Sequence, residues 1–153
     1  MKIVLITLVL FLSGCSSTQI ASPHKAEVVY SDTMEIIRSA AESAPTGIAG
    51  EYTLKIKAAG NQGPYVYLNT EFDYRDQRAV TVALHPSVIS LFVQKYGVKP
   101  QEYFINKSIR VNGEAQRVKI TFGTRKKPSN KYYYQTHIRI MDISQIEVLS
   151  GHA

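Results

Sequence analysis

The chain has 153 residues, a net charge of +6 and one cysteine, Cys15. That length holds one small domain, the lone cysteine excludes an internal disulfide, and a 44% apolar fraction is that of a globular protein rather than a disordered one. Charge is uneven: from Lys107 to Arg139 nine Lys/Arg oppose one acid, Glu114, so a basic end is expected, suited to an anionic partner or to a solvated face.

Met1-Lys2 is a short positive start, and Ile3 to Leu12 is a ten-residue apolar run. A spanning helix needs roughly 20 such residues, so residues 1–14 read as a signal peptide. The run closes on Leu12-Ser13-Gly14-Cys15, with a branched apolar residue three before the cysteine and small residues between. These four residues resemble the bacterial lipoprotein signal. The resemblance implies cleavage before Cys15, a diacylglycerol on its sulfur and an acyl chain such as palmitate on the new amine. With Ser16 rather than aspartate next, it also implies sorting to the outer membrane, on its periplasmic face. A simple signal peptide with a chance cysteine is the alternative. More than one acyl chain gives durable anchoring. Loss of residues 1–14 removes only Lys2 and leaves about +5. Residues 15–30, lipidated cysteine included, are polar and read as a flexible stalk with a reach of roughly 50 Å.

Residues 31–45 read as a short amphipathic helix. Asp32-Thr33-Met34-Glu35 has the form of a capping box, Met34, Ile37, Ala41 and Ala44 recur at helical spacing, and Pro45 ends the segment. After Gly50 the period becomes two. Tyr52, Leu54, Ile56 and Ala58 form one side of a first strand, 60–64 is a turn, and Tyr65 to Asn69 is a second strand. A polar connection leads to a third strand, Arg78 to Leu84. Pro86 and Gly97 then bracket a helix with a wide apolar face, and 98–106 is a connection. Lys107 opens a fourth strand, which either turns at Asn112-Gly113 or bends there and runs on to Phe122. The bend is preferred, because a strand curving around a small barrel needs a glycine or bulge. Residues 123–130 read as a basic loop and Lys131 to Met141 as a fifth strand, with an apolar pattern continuing to Val148.

The order strand, strand, strand, helix, strand, strand resembles the OB-fold, a five-stranded, partly open Greek-key β-barrel. Asn106 to Glu114 resembles the start of its fourth strand and Ile138 to Val148 its fifth. In particular the stretch is similar to small exported bacterial OB-fold proteins. The resemblance implies a mainly β domain over 46–150, with the helix at 31–45 as an addition. The rival is an α+β roll wrapped around that helix.

Chemistry is sparse. His24, His85, His137 and His152 have no ligand spacing, so no metal and no cofactor are expected. Glu71, Asp73 and Asp76 share one connection that Arg75 and Arg78 also enter; a calcium loop, or a weak hydrolase or nuclease around Asp73 to Arg78, is a minor alternative to a salt-bridged connection. No catalysis is expected. Cations beside rings suit a binding surface. Arg125, Lys126, Lys127 and Lys131 with Tyr132, Tyr133 and Tyr134 are the candidates, extended by Tyr65, Tyr67 and Lys55. In OB-folds the ligand face lies across strands 2 and 3 between the 1–2 and 4–5 loops. The compartment favours an envelope protein or an anionic glycan as partner. Single-stranded DNA, in an uptake or conjugation system, is the alternative, and an ordinary exposed hairpin with packed strand tyrosines is the bland reading.

Overall fold

The computed structural model describes residues 29–124 and 127–149. The signal-like segment, Cys15, the stalk through residue 28, Arg125 and Lys126 lie outside the described residues.

The alternation read from Tyr52 to Ala58 produces one bent strand in two parts, β2 (Ile48–Lys55) and β3 (Ala58–Gln62). Tyr52, Leu54 and Ile56 point inward and are buried. The first part pairs antiparallel with β6 (Ser108–Thr124), from Ile48 opposite Ala115 to Lys55 opposite Ser108. The second pairs antiparallel with β4 (Tyr65–Asn69) across a turn at Gly63, whose φ of 57° suits glycine. β4 pairs antiparallel with β5 (Val80–Leu84), β5 pairs parallel with β7 (Lys127–Ile140), and β7 returns antiparallel to β6. The circuit closes on itself. It is the five-stranded Greek-key barrel of the OB-fold, with α2 (Pro86–Tyr96) between the third and fourth barrel strands.

The two helices close the barrel at opposite ends of β5. α1 (Thr33–Glu42) packs against β2, β5, β6 and β7. Asp32 caps it by accepting from the Met34 N–H at 2.9 Å. Its buried positions are Ile36 and Ala40, with Ile37 half-buried and Met34 exposed. The expected stripe through Met34 and Ala44 is therefore rotated, because a single-face count cannot tell which of two adjacent apolar rows meets the core. α2 is capped by His85, begins at Pro86 and ends at Gly97 with φ 70°. Phe92 on α2 meets Phe104 at 5.1 Å between ring centroids, beside α3 (Pro100–Tyr103), a short helix within the expected connection.

Four expectations about strand ends need correction. Residues 123–130 are not a loop: β6 runs to Thr124 and β7 starts at Lys127, with a register shift between Thr121 and Gly123. The fifth barrel strand does not continue to Val148. Asp142 and Gln145 form a capping box around a one-turn 3-10 helix, and β8 (Ile146–Val148) folds back onto β6. The expected turn at 60–64 shrinks, since β3 extends to Gln62. Val29 and Tyr30 are not stalk but β1, parallel to β2, with Tyr30 stacked on buried Tyr52 at 5.3 Å. Arg110 ties three strands, pairing with Glu51 of β2 at 3.1 Å and Glu147 of β8 at 2.8 Å.

β6 runs on unbroken through Asn112-Gly113 and does not turn there. Gly113 lies opposite Gly50, and a Cβ on it would stand 2.9 Å from the Cγ2 of fully buried Ile138. The closest approach of β6 to the core thus requires glycine. Gly113→Val is expected to lower stability by about 2 kcal/mol through overpacking, read as a lower urea midpoint with an unchanged slope.

Candidate binding surface

The β6–β7 register sorts the basic, tyrosine-rich stretch onto two faces. Residues directly opposite in an antiparallel pair share a face, and neighbours along a strand do not. Tyr134 lies opposite Lys119 and Tyr132 opposite Thr121, on the face that continues the barrel interior. Tyr133 lies opposite Ile120, on the outer face. The three consecutive tyrosines are therefore not one cluster.

On the inner face the rings are already covered by cations. Arg117 sits 3.7 Å from the Tyr134 ring centroid, and Lys119 sits 4.2 Å from that of Tyr132. Arg117, Tyr132 and Tyr134 border a cleft of about 430 Å³ with Ile37 and Ala41 of α1, Gln77 and Thr136, and Tyr133 and Gln135 reach its rim. Lys127 and Lys131 are exposed farther along the hairpin.

The outer face carries a continuous line of rings across the barrel. Tyr65 lies 5.8 Å from His85 and 6.3 Å from Tyr67. The Tyr67 ring approaches His137 at 6.1 Å, over the small β5 residues Thr81 and Ala83. His137 Nε2 is 2.7 Å from Gln135 Oε1, and the Gln135 amide donates to the Tyr74 carbonyl at 2.8 Å and to the Tyr133 hydroxyl at 3.1 Å. Tyr133 in turn packs on Phe122 at 5.3 Å. Arg139, opposite Ala83, is the exposed cation of this face. The face spans the second, third and fifth barrel strands, where OB-folds bind ligands.

The network also sets protonation. A backbone carbonyl only accepts, so the amide contact with Tyr74 identifies the Gln135 nitrogen. Its Oε1 then accepts from His137, whose proton is on Nε2. Burial, reinforced by Arg139, pushes the His137 imidazole down to about 4. It is neutral at neutral pH and leaves the ring line uncharged. Burial likewise raises the Tyr133 hydroxyl.

Of the residues expected to form one site, Tyr65, Tyr67 and Tyr133 share the outer face, while Tyr132 and Tyr134 occupy the opposite one. Lys55 is remote from both: it projects from β2, opposite Ser108, and donates to the Asn106 carbonyl. Gln135, Arg139, Arg117, Lys119 and Phe122 were not singled out, and the period-two pattern around Tyr133 was the signal that would have divided them. His137 was read as a face-lining residue, and it lines the outer face. The acidic connection is a pair of arginine-bound turns. Asp73 accepts from the Arg75 N–H and pairs with its guanidinium, as Asp76 does with Arg78. Hydrogen bonds from Arg78 hold Asp76 at about 2, and those from Arg75 lower Asp73. Neither carboxyl carries a proton to donate near neutrality. No trio of metal-ligating side chains gathers among the described residues.

The buried imidazole makes stability pH-dependent. The unfolded chain binds a proton on His137 near pH 6.5 and the folded chain only near pH 4. Between these values the unfolded state holds more protons, so stability falls as pH falls through that window, by up to ~3 kcal/mol. The paired aspartates act below it. His137→Gln is expected to flatten the stability profile between pH 6.5 and 4, measured by urea unfolding; an unchanged slope would show that the ring is solvated.

No family model and no curated protein matches the chain. Among solved structures it is similar to an aspartyl-tRNA synthetase from Entamoeba histolytica, at 16% identity and TM-score 0.49, over 97% of this chain and 28% of that one. It is also similar to a mitochondrial single-stranded DNA binding protein from S. cerevisiae, at 10% identity and TM-score 0.39, over 70% of this chain and 98% of that one. The chain thus spans under a third of the synthetase's length.

Proposed function

We propose that this chain is a non-catalytic binding module of the bacterial envelope. It is anchored through acylated Cys15 to the periplasmic face of the outer membrane and holds an extended anionic glycan on the outer face of its barrel. The observation that carries the reading is the unbroken line Tyr65–Tyr67–His137–Gln135–Tyr133. Rings at about 6 Å spacing offer flat apolar faces with polar edges. The carboxamide, bonded to His137, Tyr74 and Tyr133, fixes the line without adding charge, the neutral imidazole leaves Nδ1 as an uncharged acceptor, and Arg139 supplies one cation for an acidic substituent. Leu12-Ser13-Gly14-Cys15 supports the anchor and the compartment.

Single-stranded nucleic acid is the second reading. It is favoured by the cations of the hairpin, Arg117, Lys119, Lys127 and Lys131, as partners for phosphates, although Arg117 and Lys119 cover the Tyr134 and Tyr132 rings.

Acylated full-length protein in detergent separates the two on immobilised peptidoglycan, lipopolysaccharide and single-stranded oligonucleotide over a salt series. Tyr67→Ala and Tyr133→Ala are each expected to weaken glycan retention by about 1 kcal/mol, roughly fivefold, with shallow salt dependence. If the glycans are not retained, and oligonucleotide binding is lost steeply with salt and with Arg117→Ala and Lys119→Ala, the nucleic-acid reading replaces the first. For the anchor, Cys15→Ala is expected to leave the membrane fraction; persistence there would refute lipidation.

A further inference from the structure

We propose that the projecting β6–β7 hairpin docks on an anionic phospholipid surface. The surface consists of Phe122 and Tyr132 with Lys119, Lys127 and Lys131, and it presses the domain against the membrane that holds its anchor. The inference rests on the proposed anchor at Cys15 and adds to it a second, reversible contact.

Three observations converge on this partner. The first is projection. β6 leaves β2 at Ala115 and continues to Thr124 paired only with β7. Beyond Arg117, whose partner Thr136 is the last β7 residue paired with β5, seven residues of β6 reach about 24 Å, more than a turn needs. The second is the arrangement of the side chains. Phe122 and Tyr132 are 47% and 51% exposed, on opposite faces of the hairpin. Exposed rings on a hairpin that also carries exposed Lys127 and Lys131, with Lys119 against Tyr132, suit the headgroup boundary, where rings settle at the interface and ammonium groups reach the phosphates. Base stacking would need open ring faces, whereas Lys119 covers Tyr132 and Arg117 covers Tyr134. The observations therefore favour a lipid surface over a nucleic acid for this element.

The third is direction. β1 runs parallel to β2, with Val29 opposite Glu51, so the N-terminal end of β1 faces the same way as the outgoing end of β6. Thirteen residues lie between Cys15 and Val29, a reach of roughly 50 Å when extended. That length lets the hairpin meet the surface in which Cys15 would be inserted. An anionic leaflet attracts clustered lysines within a Debye length.

The chain contains no tryptophan, so one introduced indole reports its own environment. Acylated Phe122→Trp, Tyr132→Trp and Leu91→Trp proteins are reconstituted in vesicles of phosphatidylglycerol with phosphatidylethanolamine and in vesicles of phosphatidylcholine alone, each carrying lipid brominated near the headgroup. Leu91 is exposed on α2, at the barrel end away from the hairpin, and serves as control. Docking predicts blue-shifted, bromine-quenched emission for Phe122→Trp and Tyr132→Trp in anionic vesicles. The quenching should be lost in phosphatidylcholine, in high salt and on adding Lys119→Glu with Lys127→Glu. Quenching no greater than at Leu91→Trp for both hairpin reporters would overturn the proposal. So would quenching indifferent to lipid charge, or quenching abolished at low salt by single-stranded oligonucleotide. Mass spectrometry of Cys15 reads the anchor separately. If Cys15 is unmodified, the same reporters are read with vesicles added from outside, so failure of the anchor is distinguished from failure of the hairpin.

Discussion

Everything in this domain depends on β6. Its first half closes the barrel against β2 and receives β8; its second half pairs with β7 alone and carries the ladder beyond the core. One strand can do both only if it bends without losing register. Gly113, apposed to Gly50 and pressed against Ile138, lets the strand lie that close to the core while its register runs on unbroken. Burial reflects the change of role. Ile109, Val111 and Ala115 are fully buried, whereas Phe122 is nearly half exposed. The apolar–polar alternation persists, but the core it serves has ended.

The same period of two governs what was legible beforehand. Element order and the continuous course of β6 followed from local patterns, because alternation, a proline at a helix start and glycines at turns act within a few residues. The projecting hairpin did not follow. Gly123 to Asn130 is rich in turn-forming and charged residues, and only pairing between β6 and β7 makes 123–124 and 127–130 strand. Tyr132, Tyr133 and Tyr134 were adjacent in sequence and so were grouped, although strand geometry sends the middle one to the other side. The link from Tyr67 to His137 was out of reach for a different reason. It depends on the parallel pairing of β5 with β7, which joins segments more than fifty residues apart. β1 and β8 were too short to show a period at all.

Charge is distributed so that the two faces of the hairpin differ in kind. The outer face keeps its imidazole neutral by desolvation and fills its hydrogen bonds internally, from His137 through Gln135 to Tyr74 and Tyr133. Such a chain of fixed dipoles orders the side chains before any ligand arrives, which reduces the entropy that binding must overcome. The inner face places cations over rings instead. Arginine and lysine in those positions retain their charge and shield apolar area at once. A ligand read by shape and hydrogen bonding suits the first face. A surface read by charge suits the second.

The proposed tether at Cys15 would sharpen that division. A freely diffusing domain would need one face to supply both affinity and specificity. A domain held within roughly 50 Å of its anchor works at an effective concentration set by the tether, so that weak contacts suffice. The proposed hairpin contact would then need only enough strength to orient the barrel, and the proposed glycan contact of the ring line could remain weak for each unit, because several rings would act along one chain. On this view the length of β6 beyond the core is a spacer. It separates the surface that positions the domain from Tyr65 and Tyr67, which lie on β4 toward the far end of the barrel and stay open to a ligand approaching from the side.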